Sequence, residues 1–235
     1  MNYLVVTIKD WNIKLFKEKI SKFPGKWHLI TNPEDLNLEN LAKIQPRYIF
    51  FPHWSQIVPT KILNTYECVC FHETDLPYGR GGSPIQNLII EGKTESKLSA
   101  LRMIDKLDAG PIYMKKAISL KGRAQEIYEK NALVVVEMIN EIITKNPQPK
   151  EQLGKTVNFK RRKPEQSDLK EFKAKNIEEF HNFIRMLDAE TYPKAFLKMG
   201  KFRLEFFDAE KKGDKLTAQV TISAEVLTKK HGSKK

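Results

Sequence analysis

Short β-branched runs alternate with helix-patterned runs through the first 120 residues, and this alternation limits the fold more than any other feature of the chain. Leu4-Val5-Val6-Thr7-Ile8 reads as a buried strand. Trp11, Ile13, Leu15, Phe16 and Ile20 then recur at the spacing of an amphipathic helix, and Gly25 punctuates it. Residues 27–31 read as a second strand. Asn32-Pro33-Glu34-Asp35 reads as a helix start, because Asn caps and acids suit the first turn. Residues 48–51 and 68–71 read as a third and a fourth strand, with a helical stretch over 59–64 between them. Strands separated by helices pair in parallel, with the helices covering the sheet. The ligand crevice of such a sheet lies beyond the carboxyl ends of its strands, which here means residues 52–56 and 72–82.

Beyond this unit, Ser83-Pro84 reads as a capped helix entry, followed by strands over 97–104 and 111–120 and a long helix over 123–144. Asn146-Pro147-Gln148-Pro149 breaks the pattern and sets the expected boundary between a domain of residues 1–145 and a smaller α+β part of residues 146–235. In the second part a helix is expected over 177–188 and a hairpin across Lys211-Lys212-Gly213-Asp214, with a frayed end at 229–235. The expected fold class is therefore α/β, a parallel-type sheet with helices on both faces, plus a small α+β C-terminal part.

Charge narrows the partners. The formal net charge is +12 over 235 residues, which favours an anion such as nucleic acid or a nucleotide. Residues 146–235 carry 21 basic and 13 acidic side chains, against 20 and 16 in residues 1–145, so the excess lies in the second part. No apolar stretch reaches the length of a membrane span, and no signal-peptide pattern opens the chain. Cys68 and Cys70 are expected on opposite faces of their strand, with neither a disulfide nor a metal site between them. The chain reads as cytoplasmic, with no membrane or metal partner.

The chemistry concentrates in His72-Glu73-Thr74-Asp75-Leu76-Pro77-Tyr78-Gly79-Arg80-Gly81-Gly82-Ser83-Pro84. A histidine ends a buried strand and a glycine-rich loop follows, where backbone can approach a ligand. The bland reading of one strand-end histidine is structural. Asp108-Ala109-Gly110 alone is a turn signal. Gly-Arg-Gly-Gly lacks the spacing of a nucleotide phosphate loop.

Taken together, His72, Thr74, Leu76-Pro77, Gly81, Pro84 and Asp108-Ala109-Gly110 resemble the folate-dependent formyltransferases, as does Ile57-Val58-Pro59 after the third strand. The resemblance covers residues 1–145. Phe159 to Ser167 and the segment Phe183 to Phe196 are similar to the sugar-nucleotide N-formyltransferases, nearest to those of nonulosonic (pseudaminic-type) acid biosynthesis. The resemblance implies transfer of a formyl group from 10-formyltetrahydrofolate to the amine of an amino sugar or sugar nucleotide. Formylation of methionyl-tRNA is the alternative. A folate- or sugar-binding protein without turnover is the second alternative.

The same resemblance implies roles for residues. His72 and Asp108 are the catalytic pair. Cys70 stands where the family has an asparagine that donates to the formyl oxygen, and a thiol is a weak donor. Asn87 substitutes only if its helix faces the site. Trp54, Ser55, Gln56, Met103 and Ile104 line the folate pocket, unless Trp54 is simply core. Tyr78, Arg80, Gly82, Arg161 and Arg162 bind the acceptor, unless the basic run is a solvated linker. The late hydrophobic hairpin leaves a homodimer open.

Overall fold

The computed structural model describes residues 1–190 and 192–224; the end expected to fray lies outside them. The chain divides into two compact units, one of Met1–Gly122 with Glu126–Arg161, the other of Arg123–Gln125 with the chain from Arg162 onward.

The first unit begins β1 (Asn2–Val6), α1 (Asp10–Glu18), β2 (Lys26–Ile30), α2 (Leu38–Ile44), β3 (Pro46–Phe51), α3 (Thr60–Thr65) and β4 (Cys68–His72). It continues with β5 (Arg80–Gly81), α4 (Pro84–Ile90), β6 (Glu95–Arg102), β7 (Ile112–Ser119), α5 (Ala124–Lys145) and β8 (Asn158–Phe159). Six strands form one sheet in the order β2-β1-β3-β4-β6-β7. The first four pair in parallel, as the alternation with helices requires. β6 pairs antiparallel with β4, and β7 pairs antiparallel with β6 because the short connection between those two reverses the chain. The sheet is thus mostly parallel with an antiparallel edge. Among the described residues no helix is long and apolar enough to cross a membrane.

Alternation along the strands sorts the two faces. Leu4, Val6, Ile49, Phe51 and Cys68 form a core with Leu41 of α2 and Ile62 of α3. On the other face Phe71 and Leu98 meet Trp11 of α1 and Tyr128 and Val135 of α5. Each fully buried Leu, Ile or Phe contributes about 1.5–3 kcal/mol relative to exposure. Helices therefore cover both faces, as expected. Cys68 and Cys70 are two residues apart on one strand and share a face, correcting the expectation that they diverge.

Two local expectations also shift. Asn32 caps only a short 3₁₀ turn, and α2 starts later, where Asn37 accepts from the Asn40 amide at 2.9 Å. Ser83 takes a left-handed conformation (φ 53°) and does not cap α4. Asn87 serves the loop instead, donating to the carbonyls of Gly82 and Ser83 at 3.0 Å each. The turn Asn146 to Pro149 ends α5, but residues 146–161 stay with the first unit.

The second unit contains α6 (Ile177–Leu187), β9 (Ala195–Met199), β10 (Phe202–Lys212) and β11 (Lys215–Ala224). The three strands form an antiparallel sheet in the order β11-β10-β9. Asn176 caps α6 through the Glu179 amide at 2.9 Å. Phe183, Ile184, Met186 and Leu187 are buried along the helix.

Candidate active site

His72 ends β4 on the same face as Cys70, and it is buried. Its Nε2 lies 2.7 Å from the Gly79 carbonyl. A carbonyl only accepts, so Nε2 carries the hydrogen and Nδ1 is the nitrogen left for chemistry. Nδ1 lies 3.7 Å from Oδ2 of Asp108. That is too long for a hydrogen bond.

Asp108 reaches His72 from the turn between β6 and β7. The base of the turn is level with Val69, where Arg102 pairs. Asp108 itself has φ 50°, a left-handed conformation that Asp tolerates better than most residues. Gly110 permits the close return of the chain: a Cβ there would lie 1.8 Å from the Arg102 carbonyl oxygen. The Asp-x-Gly spacing thus has a steric cause. Asp108 Oδ2 also accepts from the Gly81 amide at 2.9 Å, so the glycine loop holds the oxygen that faces His72.

The glycine loop is itself strapped. β5 pairs in parallel with β8, Gly81 opposite Phe159. The Gly79 and Arg80 amides both donate to the Val157 carbonyl at 2.9 Å. Gly82 runs so close to Arg161 that a Cβ would meet the Arg161 Cα at 2.6 Å. At the loop's start, Lys115 and Lys97 pair with Asp75 at 2.5 and 2.9 Å, and Lys115 also donates to the Leu76 carbonyl.

The structure gathers His72, Asp108, Cys70 and Gly81 in one place and spends several other expected residues elsewhere. Arg80 donates to Gln152 through Nε and Nη2. The Tyr78 hydroxyl donates to Glu91 at 2.5 Å, and that bond pushes its pKa up to about 12. Arg161 is exposed beside Gly82. Arg162 belongs to the second unit, where it donates to the Gln166 carbonyl and lies over the Phe183 ring; burial lowers its pKa. Asn87 has two amide hydrogens and faces three carbonyls, Lys160 being the third, so it is no spare donor. Burial, with the nearby Asp108 charge, drives the Cys70 thiol well above its ordinary pKa.

Trp54 packs against the core cluster, as do Met103 and Cys70, and its Nε1 is buried with no hydrogen-bond partner among the described residues. Ser55 and Gln56 are exposed. So are the large apolar side chains of Ile57 (95%), Ile104 (42%) and Leu107 (71%) on the two loops that flank the site in sequence.

Three residues escaped the sequence reading. Gln152 bonds both to Arg80 and to the Asp108 turn. His53 and Glu73 pair at 3.6 Å on the face opposite His72. Burial alone would raise the Glu73 carboxyl, but the His53 imidazole outweighs it and holds the carboxyl below its ordinary value. The pair borders a cavity of about 10 Å³, room for one water, with the unpartnered Asn131 Nδ2 on its wall.

Comparison with known proteins gives a consistent picture. Residues 15–137 match the family described as formyl transferase, and residues 164–223 match the methionyl-tRNA formyltransferase C-terminal domain. The solved structure of a methionyl-tRNA formyltransferase from Clostridium thermocellum is 44% identical, with a TM-score of 0.89, and the match covers 95% of this chain and 99% of that one. The methionyl-tRNA formyltransferase of Thermotoga maritima is 28% identical over 177 residues, 70% of this chain and 56% of the relative. This chain spans less than two thirds of the length of such curated relatives, 58% in the case of the Lactobacillus gasseri protein. A sugar N-formyltransferase from a Shewanella species shares the fold at a TM-score of 0.66 and 17% identity, over 97% of this chain and 99% of its own. These matches overturn the expected amino-sugar or sugar-nucleotide acceptor: the sugar enzyme shares the fold alone, whereas the relatives alike in sequence are methionyl-tRNA formyltransferases.

Proposed function

The chain belongs to the formyl transferase family, and from that premise we propose that it moves a formyl group from 10-formyltetrahydrofolate to the amine of methionyl-tRNA. One observation carries the acceptor: the 44% identical methionyl-tRNA formyltransferase is matched over nearly all of both chains. The basic excess of residues 146–235 supports it, since a tRNA offers a row of phosphates. A tRNA acceptor also implies a cytoplasmic protein, in accord with two free cysteines.

The residues present suit a folate donor. Exposed Ser55 and Gln56 offer polar contacts, and exposed Ile57, Ile104 and Leu107 offer apolar cover for a flat ring. The donor supplies the formyl carbon. The acceptor amine must add to it as a neutral base and then lose one proton. His72 Nδ1 takes that proton, because Nε2 is already committed to Gly79, and returns it to N10 of the folate as the bond from N10 to the formyl carbon breaks. Asp108 stabilises the ring while it is charged, and Gly81 keeps the Asp108 carboxylate aimed. Acid–base catalysis of this kind contributes about 10²–10⁴ in rate.

The test mixes the purified chain with 10-formyltetrahydrofolate and methionyl-tRNA, then follows formylmethionine released from the tRNA. The expected product forms with the native chain and disappears with His72→Ala. Binding of tRNA should weaken steeply between about 50 and 200 mM salt. Folate binding without any formylated tRNA would overturn the reading.

A further inference from the structure

We propose that Gln152 is a positioning residue for the Asp108–His72 pair, an inference that rests on the catalytic reading above. Gln152 is half-buried in the segment that follows α5. Its amide oxygen accepts from Arg80 Nε at 3.0 Å and Nη2 at 2.7 Å. Its amide nitrogen donates to the Asp108 and Gly110 carbonyls, both at 2.8 Å. A primary amide has two hydrogens, and both are used.

These four bonds bracket the catalytic carboxylate. The two carbonyls flank the turn that holds Asp108 at φ 50°, a conformation kept only by its surroundings. Arg80 precedes Gly81, whose amide is the donor to Asp108 Oδ2. One side chain therefore ties the backbone of the acid to the residue beside its donor. Gln152 touches neither His72 nor the Asp108 carboxylate, so it acts through the turn and the loop.

Gln152→Glu separates the two halves of this role. The carboxylate still accepts from Arg80, but it cannot donate and it repels the two carbonyls. A misplacement near 1 Å at a catalytic group costs up to about 10²-fold. We expect kcat to fall about ten- to hundredfold, with KM for both substrates little changed. The decisive arm is the double variant. In an Asp108→Asn background, Gln152→Glu should cause no further loss, because its effect passes through Asp108. A structural role would instead multiply the two losses.

A second readout does not need turnover. Exchange of the Gly81 amide hydrogen, followed by NMR, should quicken in Gln152→Glu while the amides of β1 keep their protection. Gln152→Met, which keeps length and removes every hydrogen bond, repeats both measurements. Native Gly81 exchange in the variants, or a loss that multiplies with Asp108→Asn, would overturn the proposal. Loss of folding in both variants would assign Gln152 to the fold and overturn it too. Native turnover in Asp108→Asn would sink the catalytic reading itself, and the exchange measurement would still judge Gln152.

Discussion

Replacing Gly81 with alanine tests whether the glycine loop aims the Asp108 carboxylate. Gly81 has φ +107°, outside the range that L side chains adopt comfortably, and forcing a residue there costs about 1–3 kcal/mol. The new Cβ would also lie 2.3 Å from the Phe159 carbonyl oxygen, roughly 1 Å short of an ordinary contact between carbon and oxygen. That oxygen is backbone, and it is the acceptor of the Gly82 amide at 3.2 Å, so neither side yields without parting β5 from β8. Parting them removes the Gly81 amide from Asp108 Oδ2, a charge-assisted bond that contributes about 1.5–3 kcal/mol. The combined penalty is about 2.5–6 kcal/mol, which a domain of ordinary stability survives. Part of it is relieved by local opening, so the melting temperature should fall by about 5–10 °C and kcat by about 10²-fold. Gly92→Ala is the control: φ is +76° there, but a Cβ meets nothing within 4 Å. It should cost about 1 kcal/mol and leave turnover intact. Calorimetry and the formylation assay read both variants, and equal turnover in the two would refute the reasoning.

Three further outcomes are expected. Burial, aided by the Glu67 charge, pushes the Cys68 thiol up to about 12, and Cys70 is also well above its ordinary value; iodoacetamide at about pH 8 should therefore spare both in the native chain and label both once it is unfolded, as mass spectrometry would read. Alkylation of native Cys70 with loss of turnover would reveal an activated thiol instead. Burial alone would raise the Asp75 carboxyl, but Lys115 and Lys97 hold it below its ordinary value; its contribution is present above that value and lost as pH falls through the lower folded one, so Asp75→Asn should flatten the fall in melting temperature below about pH 4. Cys70→Asn should raise kcat by up to about 10²-fold if an oxyanion donor is missing there, and unchanged turnover in a folded variant would dismiss that position.

Elements were legible where local pattern and burial agree. Leu4, Val5 and Val6 are wholly buried, and an unbroken apolar run is the signature of such a strand. The β10–β11 hairpin was marked by Gly213-Asp214 between two strand-like runs. β9 escaped, although Met199 and Phe202 pair across a two-residue turn whose Gly200 has φ 59°. Asp108-Ala109-Gly110 was legible as a turn, because the close return of the chain demands glycine at Gly110; only the family resemblance pointed to Asp108 itself. Gln152 was not legible at all. It sits in a polar stretch, and its partners Arg80, Asp108 and Gly110 lie 42 to 72 residues away in sequence. Only the fold makes it a hub.

The donors around Cys70 decide what the histidine must do. Asn87 is committed to three loop carbonyls. The Gly81 amide is held by Asp108. The Trp54 indole N–H is unpartnered but sealed from solvent, so it reaches no ligand without movement of the loop after β3. A thiol in a strand core is a weak donor, and it stays protonated here. In the proposed reaction the strong donor left among these groups for the negative charge developing on the formyl oxygen is the His72 ring. A neutral ring with its hydrogen on Nε2 spends that hydrogen on Gly79. The ring becomes a useful donor toward the site only once Nδ1 holds the proton taken from the amine, with the Asp108 carboxylate 3.7 Å away. Proton acceptance and oxyanion support then belong to one nitrogen at successive moments. Removal of Asp108 should cost more in this chain than where an asparagine shares the load, and Cys70→Asn should make the Asp108 variants less damaging.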